Sequence, residues 1–275
     1  MEGRITVPVQ EVQDEGPTSC TLYLSANLPV RPGQFFMLTD YQGGEKPFSL
    51  GEVRAGERGE KLLGFTIKIA GPFTRRFRQK KRGDLVSIRG PYGNPFTLRK
   101  GKLLLVGGGS GIAPLYFLTQ ELLSAGGEVT LVNGARKEEE LLFSSRFLKL
   151  PIRYIVSLED RDGGRTAVDA ARDLLEKERF DFAYAAGPEL MMAALRPLLG
   201  GLDYEFLMER YMKCGVGICG SCTCDPLGIR LCVEGPVIRK HLVEQLNDFG
   251  VYKRDAAGRK VPFRTGINPR AREIP

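Results

Sequence analysis

Four cysteines, Cys214, Cys219, Cys222 and Cys232, stand in the run CGVGICGSCTCDPLGIRLC with the spacing C-x4-C-x2-C-x9-C. That spacing matches the plant-type arrangement for a [2Fe–2S] cluster, in which four thiolates from one loop converge on two irons. Such a loop must fold tightly around the inorganic core. Gly215, Gly217 and Gly220 permit this, because glycine adopts positive φ and leaves backbone N–H groups free to approach sulfur. The same Cys-x2-Cys pairing also suits a structural zinc site, which stays open on spacing alone. Cys224 would break the pattern as a ligand and reads as a bystander.

Two glycine-marked segments point to phosphate chemistry. LLLVGGGSGIAP at 103–114 reads as a strand, a turn built from Gly107, Gly108, Gly109, Ser110 and Gly111, and a helix with Pro114 in its first turn. Glycines there let a nucleotide phosphate approach the backbone, and the helix N-terminus offers unpaired N–H groups and a positive dipole end. Simple packing would leave the same trace. AAGPELMM at 185–192 places Gly187 and Pro188 after a later strand, so two strand ends could frame a nicotinamide nucleotide. Further upstream, KPFSL at 46–50 and KIAGPFT at 68–74 combine cations, aromatic rings and hydroxyls. Such a set can neutralise a pyrophosphate, lie against a flavin ring and hydrogen-bond it, although an ordinary strand and turn reads the same way.

Elements of two kinds must position these groups. Up to about residue 97 the chain shows short strand signals, RITVPVQEV, CTLYLSA, QFFMLTD, KLLGFTIKI and DLVSIRG, separated by turn residues. Short strands without long helices between them predict an antiparallel barrel. From Lys102 the apolar runs KLLLVGG, EVTLVNG, RYIVSL and DFAYAAG alternate with helical patterns, which predicts a parallel sheet. In TAVDAARDLLEKE, Val168, Ala171 and Leu175 share one helix face, and Thr166 and Asp169 have capping-box spacing. Beyond about residue 208 periodicity fades, as expected where bound metal rather than apolar burial holds the fold. The expected division is a barrel over 1–98, an α/β domain over 99–207, a cluster subdomain over 208–252 and a basic tail over 253–275.

Composition narrows the chemistry further. With one histidine, His241, a His-rich metal site is excluded and a Ser-His-Asp or Cys-His mechanism is disfavoured, so function is expected to come from other chemistry. The net charge of +7 sits mostly at one end. Seven basic and two acidic residues between Lys253 and Pro275 leave the preceding 252 residues with a net charge of only +2. The nearly neutral body argues against a nucleic-acid surface. The tail reads as a docking segment or a solvated extension, with Phe263 and Ile267 available for burial. The start, MEGRITVPVQ, lacks the apolar stretch of a secretory signal, and the uncharged run from Leu103 to Gln120 is too rich in glycine for a membrane helix. Clustered cysteines without an export signal favour ligation over disulfides and predict a cytoplasmic location.

In this order, the three signals resemble the ferredoxin–NADP reductase superfamily: a flavin-binding antiparallel β-barrel, a parallel-sheet nucleotide-binding domain and, here, a small [2Fe–2S] subdomain. The run ERYMKCGVGICGSC is most similar to the electron-transfer subunits of two-component, NAD-dependent dihydroorotate dehydrogenases. The resemblance implies that Lys46, Pro47, Phe48 and Ser49 take the place of an Arg-Pro-x-Ser motif that binds FAD. Lysine there keeps the charge and loses the bidentate fork. Thr66, Ile67, Lys68, Phe73 and Thr74 would line the rest of the FAD site, and a superfamily cysteine near the nicotinamide is Ala186 here. It further implies an oxidoreductase of pyrimidine (UMP) biosynthesis, in a heterotetramer with an FMN-containing dihydroorotate dehydrogenase catalytic subunit. Electrons would pass from FMN through the cluster and FAD to NAD+, with no acid or base needed from this chain. Tyr211, Met212 and Lys213, next to the cluster, are candidate partner contacts. Arg136 reads as a 2′-phosphate contact or as a solvated side chain, and the choice between NAD and NADP stays open. A reductase subunit of another NAD(P)H-linked system, acting with hydrogenase, sulfide or ferredoxin, is the alternative within the enzyme class. A zinc-stapled nucleotide-sensing module is the alternative outside it.

Overall fold

The computed structural model describes residues 3–263. Its first part is a seven-stranded antiparallel sheet with the order β4-β3-β7-β1-β2-β6-β5. The strands are β1 (Ile5–Asp14), β2 (Ser19–Ser25), β3 (Phe35–Asp40), β4 (Gly44–Ser49), β5 (Glu52–Ala55), β6 (Lys61–Lys68) and β7 (Leu85–Tyr92). Alternate residues of the central strands, among them Leu22, Leu24, Phe65, Ile67, Val86 and Ile88, fill one apolar core. The predicted strands are all present, and Lys46 to Ser49 of KPFSL lie in β4, paired with β3 through Pro47 to Met37 and Ser49 to Phe35. Two elements were not legible: the four-residue edge strand β5, and α1 (Pro72–Arg78), which follows β6 closely with Pro72 at its start. Seven residues are too few to show a helical period.

The second part is a six-stranded sheet with the order β10-β9-β8-β11-β12-β15. Strands β8 (Gly101–Gly108), β9 (Gly127–Ala135), β10 (Arg153–Leu158), β11 (Phe182–Ala186) and β12 (Tyr204–Leu207) run parallel, as their registers show. Helices α2 (Ile112–Ser124), α3 (Ser144–Phe147), α4 (Ala167–Lys177) and α5 (Glu189–Leu199) connect them. The strand order reverses between β8 and β11, and a doubly wound sheet opens a crevice at the carboxyl ends of the strands flanking such a point. The α4 start is as predicted, with the Thr166 N–H and hydroxyl both donating to Asp169 Oδ2 at 2.9 Å.

The cysteine-rich segment departs from expectation in what holds it. Besides the two-stranded β13 (Thr223–Cys224) and β14 (Ile229–Arg230), it adds β15 (Val237–Arg239) antiparallel to β12, with Phe206 opposite Ile238, and then α6 (Lys240–Val243). Leu231, Ile238, Val243, Leu246 and Phe249 are buried in one core with Val106, Ala185 and Phe206 of the parallel sheet. Apolar burial therefore carries this region along with its ligands, because an added edge strand extends an existing core at little cost in new surface. The tail also begins as structure: β16 (Tyr252–Arg254) and β17 (Lys260–Pro262) form a hairpin. It is pinned to Asp225, which accepts from the Tyr252 hydroxyl at 2.7 Å and pairs with Arg254 at 3.0 Å and Lys260 at 3.2 Å. Phe263 ends the described chain, and Ile267 lies outside the described residues.

The two sheets are locked by a buried polar network. Arg146 of α3 donates to the Tyr23 hydroxyl at 3.0 Å and to Glu52 at 2.9 Å, and it also pairs with Glu15. This explains why β2 is buried on both faces: Cys20, Leu22 and Leu24 face the barrel core, while Thr21 and Tyr23 face this network. Burial raises the Cys20 thiol to about 11, in keeping with a small core residue.

Candidate functional site

Two cavities meet at the junction of the sheets. The first, about 300 Å³, is lined from the barrel by Pro47, Phe48, Ser49, Thr66, Lys68 and Thr74. Ser110 and Pro114 close it from the parallel sheet, and Met208 to Arg210 and Met212 close it from the segment leading to the cysteines. Six of the nine residues expected at a flavin thus share one wall, although they come from β4, β6 and α1. Of the other three, Ile67 points into the barrel core, and Phe73 stacks on Phe48 with centroids 6.2 Å apart, backing the wall. Lys46 lies with its ammonium 5.5 Å from the centre of the Tyr211 ring, so the cation at the arginine position touches the cysteine lead-in. The polar groups of the 70–74 turn are partnered within it: Thr74 Oγ1 accepts from the N–H groups of Ala70 at 2.8 Å and Gly71 at 3.1 Å. Aromatic rings, hydroxyls and a lysine around a cavity of this size fit an isoalloxazine ring system.

The second cavity, about 620 Å³, opens over the crevice of the parallel sheet. Gly108, Gly109 and Pro188 line it at one end, and Lys68 lines both cavities. The glycines here are required by contact. A Cβ on Gly111 would stand 2.3 Å from the Gly187 nitrogen and 2.4 Å from the Ala186 carbonyl carbon, so only a hydrogen fits between the strand ends. The two glycine-marked segments, well separated in sequence, are thereby pressed together at the switch point, a cradle suited to a dinucleotide. Gly107, Gly111 and Gly187 shape this cradle from behind, and Ser110 faces the flavin-side cavity. At the far end, Arg136 pairs with Glu140 at 2.8 Å, and its side chain is largely exposed.

The cysteine loop is organised by backbone donors. The Gly217 N–H points at Cys232 Sγ from 3.1 Å, and the N–H groups of Val216 and Cys219 each lie 3.5 Å from Cys214 Sγ. Gly217 has φ +80°, and a Cβ there would stand 2.7 Å from Val233, so the turn that aims this N–H requires glycine. Among the described residues no three cysteine, histidine or acidic side chains close on a single point. Cys222 and Cys232 have sulfurs 3.4 Å apart, and Cys214 Sγ faces the Val216 and Cys219 N–H groups of the same loop. Four thiols on one loop, with backbone N–H groups aimed at two of the sulfurs, is a donor set that fits a [2Fe–2S] core. Hydrogen bonds from Ser221 draw the Cys219 thiol down to about 6, and the bond with Cys232 draws Cys222 down to about 7. Cys224 behaves differently: it is fully buried, and desolvation pushes its thiol up to about 12. The loop is tied to the barrel by Arg89 of β7, which donates to the Cys214 carbonyl at 2.7 Å and to Glu45 at 2.8 Å. Of the three candidate partner contacts, Met212 is buried against the first cavity, Tyr211 is half-buried and Lys213 is exposed.

The sequence reading missed Phe35, Met208, Glu209 and Arg210 at the first cavity and Glu140 and Glu159 at the second. Adjacency to the first cysteine was the one available signal for 208–210. The others carry no local pattern.

Known proteins bear on each part. A family model described as the iron-sulfur cluster binding domain of dihydroorotate dehydrogenase B matches residues 209–244, and one described as the oxidoreductase NAD-binding domain matches 105–196. The first sets aside the zinc staple. A protein of Methanocaldococcus jannaschii, named a probable electron transfer subunit of dihydroorotate dehydrogenase B (NAD(+)), is 35% identical over 96% of this chain and 100% of its own length. One of the same name from Methanothermobacter thermautotrophicus is 41% identical over 85% of this chain and 87% of its own. Among solved structures, an NADH-dependent reduced ferredoxin-NADP oxidoreductase, studied for flavin-based electron bifurcation, superposes with a TM-score of 0.78 at 29% identity, covering 90% of this chain and 91% of that one. Among the described residues no helix is long and apolar enough to cross a membrane.

Proposed function

This chain belongs to the family of electron-transfer subunits of NAD+-dependent dihydroorotate dehydrogenase B, and from that premise we propose that it passes electrons from an FMN-bearing catalytic subunit to NAD+ in pyrimidine biosynthesis. FAD, a [2Fe–2S] cluster and NAD are its redox groups. One observation carries the reading: barrel, nucleotide sheet and cysteine lead-in all line the first cavity, and Lys68 borders both cavities, so a flavin there would touch all three parts.

When bound, the flavin supplies exchange between single electrons and a hydride pair, and the cluster carries one electron at a time. The chain's own residues do the rest. Phe48, backed by Phe73, presents an aromatic face to the cavity, and Pro47, Ser49 and Thr66 line it and would contact the bound flavin. The cradle of Gly108, Gly109, Gly187 and Pro188 admits the nucleotide backbone close to the sheet. Cys214, Cys219, Cys222 and Cys232 hold the cluster, and Arg89 keeps their loop against the barrel. The barrel over 1–98, nucleotide domain over 99–207, cluster subdomain over 208–252 and C-terminal segment over 253–275 form the working division, in a cytoplasmic heterotetramer with two catalytic subunits.

The test is reconstitution. Purified anaerobically, the chain is expected to show flavin and cluster absorption bleached by NADH, and to co-elute with an FMN-containing dihydroorotate dehydrogenase while conferring dihydroorotate-dependent NAD+ reduction on it. A chain that takes electrons from NADH but leaves that subunit inert would refute the assignment. That result would support a second reading, a subunit of another NAD(P)H-linked reductase, which the likeness to the bifurcating oxidoreductase favours.

A further inference from the structure

The far rim of the second cavity carries a charge arrangement that bears on which dinucleotide is taken, an inference that rests on the nucleotide-site reading above. One end of the cavity lies at Gly108 and Pro188, next to the Lys68 shared with the first cavity. From there the lining crosses to the end of β9, where Gly134 stands opposite Gly108 in register, and continues to Arg136 beyond the strand. In a doubly wound sheet the adenylate ribose falls at the tip of the strand after the glycine-rich turn, where a carboxylate accepts from a 2′-hydroxyl or an arginine takes a 2′-phosphate. Arg136, read alone, has the planar fork for that phosphate.

The structure shows the fork already in use. Glu140, one turn on, takes it with both oxygens, Oε1 from Nη2 at 2.8 Å and Oε2 from Nε at 3.2 Å. The other rim arginine, Arg172, is likewise held by Asp169 at 2.7 Å. Glu159 completes the rim. Its backbone N–H donates to the Ala135 carbonyl at 3.1 Å, which sets it next to Arg136, and its carboxylate makes no ion pair among the described residues. Two cations therefore face three carboxylates, Glu140, Glu159 and Asp169. A 2′-phosphate entering here would have to displace Glu140 from Arg136 and sit among surplus negative charge, whereas a free 2′-hydroxyl can donate to a carboxylate.

We propose that Glu140 and Glu159 make this rim selective for the dinucleotide with a free 2′-hydroxyl, Glu140 by occupying Arg136 and Glu159 by like-charge repulsion. Arg136 is thus a masked phosphate receptor. The masking pair is largely exposed and short-range in sequence, so its contribution to folding is small and variants there remain folded.

The experiment uses the full-length holoprotein with 5′-ADP and adenosine 2′,5′-bisphosphate as calorimetric probes, and flavin bleaching by NADH and NADPH as a second readout. The wild type should favour 5′-ADP and NADH. In the Glu140→Gln/Glu159→Gln variant, the ratio of bisphosphate to 5′-ADP affinity should rise about tenfold or more, the scale of one released charge-assisted contact. Adding Arg136→Ala should remove that rise. An unchanged ratio in the double variant, or a rise that survives without Arg136, would overturn the proposal. A wild type that binds neither probe would overturn the nucleotide-site reading itself, and the inference with it.

Discussion

The cysteine loop and the glycine cradle both depend on glycine, and for opposite reasons. At the cradle, Gly111 is small because the turn after β8 meets the end of β11 backbone to backbone, with no room for a Cβ. In the loop, Gly217 turns through positive φ so that its N–H can face a sulfur, and the neighbouring chain is shaped around that turn. One glycine serves steric approach between distant segments and the other serves direction within one segment. The first site is made by the sheet, so it exists before any ligand arrives. The second has its geometry completed by what the thiolates hold, although its surroundings are packed by apolar residues shared with the sheet.

The strongest test of that contrast removes one ligand. Cys232→Ser should abolish the cluster's visible absorption while leaving FAD content near one per chain, because the first cavity draws on no cysteine. Cys224→Ala should keep the cluster and cost only about 1 kcal/mol in thermal stability, the price of a small buried void. Loss of the cluster in Cys224→Ala would contradict the assignment of ligands.

The cradle is broken by a single methyl. Gly111→Ala should destabilise the chain by about 3 kcal/mol in denaturant titrations and weaken NADH binding at least about tenfold, since the clash is with backbone rather than with a side chain that can move. Cluster absorption should survive in this variant. Its disappearance would mean that the two regions do not fail separately.

Arg89 joins the regions and sharpens the comparison. Arg89→Met should cost about 2 kcal/mol, because Glu45 loses its less exposed arginine partner, keeping Arg4 and Thr39, and the Cys214 carbonyl loses a donor. The cluster should then be lost faster under air, measured as bleaching over time, while NADH affinity moves little. Equal losses at both sites would show that Arg89 supports the whole junction.

The smallest effect is expected at the α4 cap. The Thr166 N–H and hydroxyl, with Arg172, hold the Asp169 carboxyl down to about 2 from 3.8. A lowered carboxyl pKa stabilises the folded state above the unfolded value, and that stability is lost as pH falls through the folded value. Asp169→Ala should therefore cost about 1 kcal/mol at neutral pH, with the gap to wild type closing between pH 4 and pH 2. A gap independent of pH would assign the loss to packing.

How much of this was legible depended on separation along the chain. The four cysteines proposed as ligands lie within nineteen residues and are marked by their spacing, as are the Thr166 and Asp169 cap and the alternation of strands and helices. The flavin wall was legible only through resemblance, because Pro47, Thr66 and Thr74 carry no shared local pattern and are brought together by β4, β6 and the start of α1. Arg146, whose partners Glu15, Tyr23 and Glu52 lie more than ninety residues away, gave no sign at all. The net charge of +7 proved divisible as well. Part of the basic C-terminal segment is bound to Asp225 in a hairpin.

By itself the amino-acid sequence supplied the cysteine spacing from which the ligand set is proposed, the strand and helix periods and the exclusion of a His-rich metal site, because each is a matter of residue type and short-range spacing. Only the tertiary structure decided that Gly111 must meet Gly187, that Met212 belongs to a cavity wall and not to the surface, and that Arg136 is occupied by Glu140 with Glu159 next to it. The first and second follow from strand order, which no local pattern encodes. The third follows from which charges a folded rim brings within hydrogen-bond reach, and that reach is set by the backbone path from β9 to the loop after β10.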